Sequence, residues 1–163
     1  MTASTSAPRV RIQSEDFDLS QETLALRADD GGVGAVVSFV GTVRDQVGGE
    51  VLSQMELEHY PGMTEASIEA MVDEAFQRFN IRGARVIHRV GVLPACAQIV
   101  LVLVSSAHRG EAFQACEFLM DYLKTQAPFW KKETLASGAR WVDARVTDDA
   151  ALARWGIQSA NAQ

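Results

Sequence analysis

Apolar residues recur at helical spacing in two windows of the chain. Ile68, Met71, Val72, Ala75, Phe76 and Phe79 follow the i, i+3, i+4, i+7 rule and predict an amphipathic helix. Pro61-Gly62 breaks the chain before it, and Thr64 is placed to cap it. A second helix is predicted over about 109–125, with Phe113, Cys116, Met120 and Leu123 on its apolar face and Ala112, Phe118 and Leu119 widening it. Pro128 ends that helix, because the residue before a proline avoids the helical region. Ser105 or Ser106 is the expected cap at its start. A shorter helix is predicted from Ser20 through Ala28, and a last turn or two over 148–155.

Other windows read as strands. PRVRIQ (8–13) alternates and predicts an edge strand. GAVVSFVGTVR (34–44) is rich in β-branched residues, Val47-Gly48-Gly49 turns the chain, and VLSQMELEHY (51–60) is its partner. That partner does not alternate cleanly, which predicts a bulge near Ser53-Gln54. ARVIHRVGVL (84–93) alternates as one strand. AQIVLVLVSS (97–106) is continuously apolar and predicts a central strand covered on both faces. FWKKETL and ARWVDARV are short strands around Ser137-Gly138. Mixed strands and helices joined by hairpins favour α+β with a mostly antiparallel sheet over a doubly wound parallel one.

The chain has 163 residues, enough to bury roughly 70% of its unfolded surface without staples. A single domain is expected over 8–155, with residues 1–7 disordered and 156–163 a flexible tail. The net charge of −6 argues against a general nucleic-acid binder. An anion site in this chain has to be a local basic cluster. The longest apolar run is too short to span a membrane, and the N-terminus has no apolar signal core, so a cytoplasmic location is expected. Cys96 and Cys116 form no metal or redox spacing, and Cys116 reads as a buried core thiol. His59, His88 and His108 lack short metal-ligand spacing, and no metal or cofactor is expected. His59 and His88 read as structural strand histidines.

The basic residues carry more information. His108 and Arg109 stand where the apolar strand ends and the second long helix begins. Cations there oppose the macrodipole unless an anion sits between them and the exposed N–H groups, although both side chains can simply reach into water. Lys124 closes the same helix, where a lysine also suits the dipole. Lys131 and Lys132 fall on opposite strand faces, so one of them shares a pocket with Lys124 while Trp130 points with Lys132. Clustered cations lower one another's pKa, which suits a lysine to proton transfer or nucleophilic work. Pattern alone gives a basic, anion-binding site of low specificity.

The ordered segments GAVVSFVGTVRD, MELEHYPGMTE, VIHRVGVL, SSAHRGEAF and MDYLKTQAPFWKKE…RWVDAR resemble the large subunit of molybdopterin synthase, the MoaE family, over roughly residues 33–146. That resemblance implies an α/β-hammerhead fold and a homodimer flanked by two small subunits. Each small subunit would be ubiquitin-like, with a C-terminal Gly-Gly thiocarboxylate. The reaction implied is sulfur transfer from that tail to cyclic pyranopterin monophosphate (precursor Z), forming the molybdopterin dithiolene. Carried onto this chain, the family motifs imply Lys124 and Lys131 as catalytic and substrate-binding residues. They imply Arg44, His108, Arg109 and Arg145 as further substrate-binding residues, with Arg145 reaching the neighbouring protomer's site. Gln126 stands where many relatives carry a basic residue, and the loop 45–49 lacks the asparagine often found after the arginine. A noncatalytic module binding phosphorylated ligands or a ubiquitin-like partner, and a structural dimer meeting an acidic tail, remain the competing readings.

Overall fold

The structure is a computed structural model that describes residues 7–142 and 146–157. The expected disordered start (apart from Ala7), Arg145, and residues 158–163 of the expected tail lie outside them. The elements run β1 (Val10–Gln13), α1 (Leu19–Arg27), β2 (Ala35–Thr42), β3 (Gln46–Val47), β4 (Glu50–His59), α2 (Met63–Arg78), β5 (Gly83–Arg89), β6 (Gly91–Pro94), β7 (Gln98–Ser106), α3 (Arg109–Gln126), β8 (Phe129–Leu135), β9 (Gly138–Val142) and α4 (Val146–Ala153). Two sheets result. The first has strand order β1-β5-β7-β2, antiparallel except for the β1–β5 pair. The second has order β3-β4-β8-β9, with β6 also paired to β4, and is antiparallel throughout. This is the expected α+β, hammerhead-type arrangement.

The continuously apolar segment is the central strand β7, buried from Val100 to Ser106 between β5 and β2. One face of its sheet packs on α2 and α3 through Val102, Val104, Val86, Val72 and Leu119. Its other face carries Leu101, Leu103 and Ile87 against Phe17 and the flank of α1. The aromatic heart of the helical side is Phe118, fully buried, with the rings of Phe79, Tyr122 and Trp155 edge-on at 5.5–5.6 Å. Trp155 follows α4 and also donates from Nε1 to Asp121 at 2.8 Å, which fastens the end of the described chain to α3.

Several expectations are corrected by local chemistry. Helix α1 is capped by Asp18, whose carboxylate accepts from Gln21 N at 3.0 Å, rather than by Ser20. Helix α2 starts beyond Gly62, whose N–H is taken by the Glu65 carboxylate at 2.6 Å. Thr64 is fully buried and ties two elements instead of capping: its Oγ1 accepts from Tyr60 N at 3.0 Å and donates to the Pro128 carbonyl at 3.1 Å. Helix α3 has no side-chain cap: Ser106 accepts only weakly from His108 N, at 3.4 Å, and Ser105 is buried with its hydroxyl unpartnered. Phe113 and Phe76 leave their helices' apolar faces, at 60% and 37% exposure. Strand β4, expected to partner β2, instead pairs β3, β6 and β8 in the second sheet, while β2 pairs β7 in the first. The single strand expected over 84–93 breaks at Val90-Gly91. Gly91 takes φ 88°, a conformation L side chains avoid, and this lets β6 leave the first sheet and join β4 in the second. The bulge expected near Ser53-Gln54 is present as a register shift between Leu52 and Gln54 against β8.

Candidate active site

Helix α3 crosses the first sheet with β2 beneath it, and Pro128 turns the chain from its end directly into β8. The second sheet therefore meets the first at the end of α3. A cavity of about 960 Å³ opens at this junction. Its walls come from the end of β2 (Phe39–Thr42), the start of β7, the last turns of α3, and the inner face of β4 and β8. Leu52, Met55 and Leu57 form its apolar back, and Phe129, Pro128 and Met120 its near wall.

Three cationic side chains line this cavity: Arg44 just after β2, Lys124 in the last turn of α3, and Lys131 on β8. On β8 the two lysines separate as expected, but Trp130, expected to point with Lys132, also reaches the cavity. Lys131 lines the cavity, whereas Lys132 is not among its lining residues and lies over the Trp141 ring, 5.7 Å from its centroid. Trp130 reaches the cavity rim and stacks edge-on with Tyr60 at 4.2 Å. His108 and Arg109 are not at this cavity. They are exposed at the opposite end of α3, and fifteen residues of helix separate Arg109 from Lys124 by about 22 Å. Arg145 falls outside the described residues.

Two cavity residues were not singled out for the site by sequence. Glu133 is buried in the wall, two residues beyond Lys131 on the same strand face, and accepts from Arg140 Nη2 at 3.5 Å. The alternation Phe129, Lys131, Glu133, Leu135 was the available signal. His88 lies at the end of β5, buried, stacked on Phe129 at 3.9 Å between ring centroids, and 2.9 Å from the Arg89 carbonyl through Nδ1. Burial, with further repulsion from Lys131 and His59, pushes its pKa down to about 4, so the imidazole is neutral at physiological pH. His59 sits 3.5 Å from Glu65. Cys116 is buried and its thiol is pushed up to about 11, chiefly by that burial, whereas Cys96 is exposed in a turn at φ 72°. Among the described residues no group of His, Cys, Asp and Glu is placed to hold a metal ion, and no helix is long and apolar enough to cross a membrane.

Chemically, the cavity offers a large apolar-backed volume with three cationic side chains, Arg44, Lys124 and Lys131, in its lining. That combination suits an anionic, partly aromatic ligand: the cations can meet its charge while Leu52, Met55, Leu57 and Phe129 meet its apolar part. Fold and cavity define a hammerhead-type α+β protein with a cationic site at the junction of its two sheets. Residues 12–126 match the family model described as "MoaE protein". The molybdopterin synthase catalytic subunit of Ralstonia nicotianae is 63% identical over 155 residues, covering 95% of this chain and 88% of that one. The corresponding subunit of Vibrio cholerae is 54% identical, covering 90% and 97%. A solved MoaE protein from Burkholderia ambifaria superposes with a TM-score of 0.80 at 56% identity, covering 93% of this chain and all of that one. The crystal structure of molybdopterin synthase from Staphylococcus aureus gives 0.78 at 30% identity, covering 84% and 98%. The chain belongs to the MoaE family.

Proposed function

We propose that this chain is the catalytic subunit of a molybdopterin synthase. It moves two sulfurs, one from each of two thiocarboxylated Gly-Gly tails of a ubiquitin-like small subunit, onto cyclic pyranopterin monophosphate, which becomes molybdopterin with its dithiolene. The observation that carries this reading is the placement of Arg44, Lys124 and Lys131 around one 960 Å³ cavity in a chain of net charge −6. Substrate phosphate and thiocarboxylate are both anions. Arginine at Arg44 suits bidentate phosphate contacts. Lys131 stabilises the charge that develops, or supplies a proton, as sulfur bonds to the pterin side chain. Lys124 acts alongside it or holds the substrate. Sulfur arrives on the partner and water returns the spent tail as a carboxylate, so neither Cys96 nor Cys116 has to carry it. The names of the relatives support the same assignment, and the pathway chemistry suits a cytoplasmic protein.

His108 and Arg109 enter this reading through a homodimer. Strand β2 is an edge of its sheet: eight residues, Ala35–Thr42, with no charge and no proline to guard it. It is about 27 Å long, as is α3 above it. Val36, Val37 and Val40 are half-buried along it, and Phe39 is 37% exposed. Exposed Phe113 lies on the stripe of α3 that holds Met120 and Lys124, at i, i+7 and i+11. Antiparallel pairing of β2 with β2 of a second copy sets Ala35 of one chain beside Thr42 of the other. The Ala35 end is where β7 leads into His108 and Arg109, and the Thr42 end is where Arg44 and Lys124 line the cavity. A two-fold of this kind gives each cavity the basic N-terminus of the other copy's α3. Arg145 keeps the role the family motif implies, a further cation for the neighbouring site.

The test is reconstitution of the purified chain with a thiocarboxylated small subunit and cyclic pyranopterin monophosphate, scored by dithiolene product. Wild type should turn over, while Lys124→Ala should retain fold and small-subunit binding and lose turnover. Binding of both ligands without product in wild type would overturn the catalytic reading in favour of a binding module.

A further inference from the structure

His88 is the cavity residue whose chemistry the reading above leaves unused. Three facts fix its state. Its ring is held flat against Phe129, 21° from parallel at 3.9 Å. Its Nδ1 stands 2.9 Å from a backbone carbonyl, which can only accept, so Nδ1 carries the ring proton. Nε2 is then a lone pair. It makes no hydrogen bond within the described chain, and the residue is nine-tenths buried yet lines the cavity. Nδ1 is tied back to the strand, which leaves the Nε2 edge as the part of the ring that can face the cavity.

The surrounding polar groups give that lone pair its meaning. Arg44, Lys124 and Lys131 can only donate. The cavity's carboxylate, Glu133, accepts from Arg140 Nη2 at 3.5 Å and is charged, so it draws cations, whereas His88 is a neutral acceptor. Those three cations by themselves would hold any phosphate or carboxylate of the right size. A buried neutral acceptor discriminates, because a ligand without a matching N–H or O–H leaves it unpaired. Phe129 sets the plane in which that donor must arrive.

We propose that His88 is a substrate-binding residue whose Nε2 accepts a hydrogen bond from an N–H or O–H of the reduced pterin. The cations bind the anionic groups, and His88 selects the heterocycle. This rests on the catalytic reading above, and the test separates the two. The affinity of cyclic pyranopterin monophosphate is measured by calorimetry on the wild-type chain and on His88→Phe and His88→Gln, each in complex with the small subunit. Phe keeps the ring stack without an acceptor; Gln restores an acceptor at the same reach. His88→Phe should weaken substrate binding by about tenfold to a hundredfold, the cost of a buried unpaired donor, while inorganic phosphate competes as in wild type. His88→Gln should recover most of the loss, and the defect should fall on KM more than on kcat. Substrate binding by a folded His88→Phe chain within about twofold of wild type, with wild type active, would overturn this inference and leave the catalytic reading standing. Inactive wild type would overturn the catalytic reading itself, and this inference with it. If His88→Phe does not fold, the ¹⁵N resonance of Nε2 in the wild-type chain decides: a substrate-induced upfield shift supports the hydrogen bond, and an unmoved signal refutes it.

Discussion

Acid should weaken this fold earlier than its carboxylates alone would dictate, and His88 sets the window. An unfolded histidine titrates near pH 6.5, whereas His88 in the fold is pushed down to about 4 by burial, with Lys131 and His59 adding repulsion. Between those values the unfolded chain binds a proton that the folded chain refuses, so stability falls as pH falls. The contribution is fully present above about pH 6.5 and is lost by about pH 4, about 3 kcal/mol in all at 1.36 kcal/mol per unit. Most of it, about 2 kcal/mol, disappears between pH 7 and pH 5. Glu22, Asp16 and Asp30 are held below the ordinary carboxylate range by arginine, glutamine and backbone N–H partners, although burial opposes this at Glu22. Their contributions are therefore lost only at lower pH, outside this window. Urea denaturation of wild type and His88→Phe at pH 7 and pH 5 isolates the effect. Wild type should lose about 2 kcal/mol more than the variant over that interval. Equal losses in the two chains, or an NMR titration of His88 near 6.5, would refute the argument.

Three further outcomes are expected. Glu22 joins the guanidinium groups of Arg11 and Arg85, the latter at 2.9 Å, with side chains 15%, 30% and 8% exposed. Glu22→Gln leaves the two arginines without their carboxylate and should cost about 3 kcal/mol, read as a fall in the urea midpoint; a change under about 0.5 kcal/mol would show that the cluster is slack. On β8, Lys131→Ala should lower kcat/KM by about a hundredfold or more and Lys132→Ala by less than about threefold, since only the first lines the cavity; equal losses would contradict the face assignment. Mixed and exchanged, chains carrying Arg109→Ala and Lys124→Ala, each inactive alone, should regain about a quarter of wild-type activity. Half the dimers are then heterodimers with one intact site of two. No recovery after confirmed exchange would place Arg109 outside the partner's site.

Much of this architecture was legible because its signals are local. The run 99–104, short, apolar and rich in β-branched residues, reads as a doubly covered strand, and the periodicity of 68–79 and 109–125 set α2 and α3 to within a few residues. What sequence hid was long-range. The break at Gly91 is invisible to hydrophobic pattern, since Val90, Val92 and Leu93 continue the same apolar texture while moving to another sheet. Thr64 looked like a cap because threonine at a helix start usually is one; its actual acceptor, the Pro128 carbonyl, is 64 residues away. Lys124 and Lys131 stood out through spacing and motif. His88 did not, because alternation placed it on the same face as Val86 and Ala84, and nothing local reveals that this face ends at a cavity against Phe129.

The distribution of charge pairs argues that the cationic cavity is built for a ligand rather than for stability. In an acidic chain an arginine finds a carboxylate easily, and most here have done so. Arg9 is held by Glu69 and Asp73, Arg82 by Asp30, Arg89 by Asp16 and two carbonyls, and Arg154 by Glu117 and Asp121. Each of these lies away from the cavity. Arg44 and Lys124, which line it, and His108 and Arg109, at the far end of α3, make no ion pair among the described residues. Arg27 and Lys132 also make no ion pair among the described residues, but Arg27 sits in the last turn of α1, where the helix dipole accounts for it, and Lys132 lies over the Trp141 ring. Dipole accounts for Lys124 as well, and for neither Arg44 nor the pair at the start of α3, where it is unfavourable. Surface ion pairs are worth at most about 1 kcal/mol, so leaving these cations uncompensated sacrifices little stability. A phosphate or thiocarboxylate bound at Arg44 and Lys124 gains more from them, since it meets several cations at once beside an apolar wall. The acidity of the rest of the surface then works in the same direction: it leaves this junction as the place where an anion is welcome.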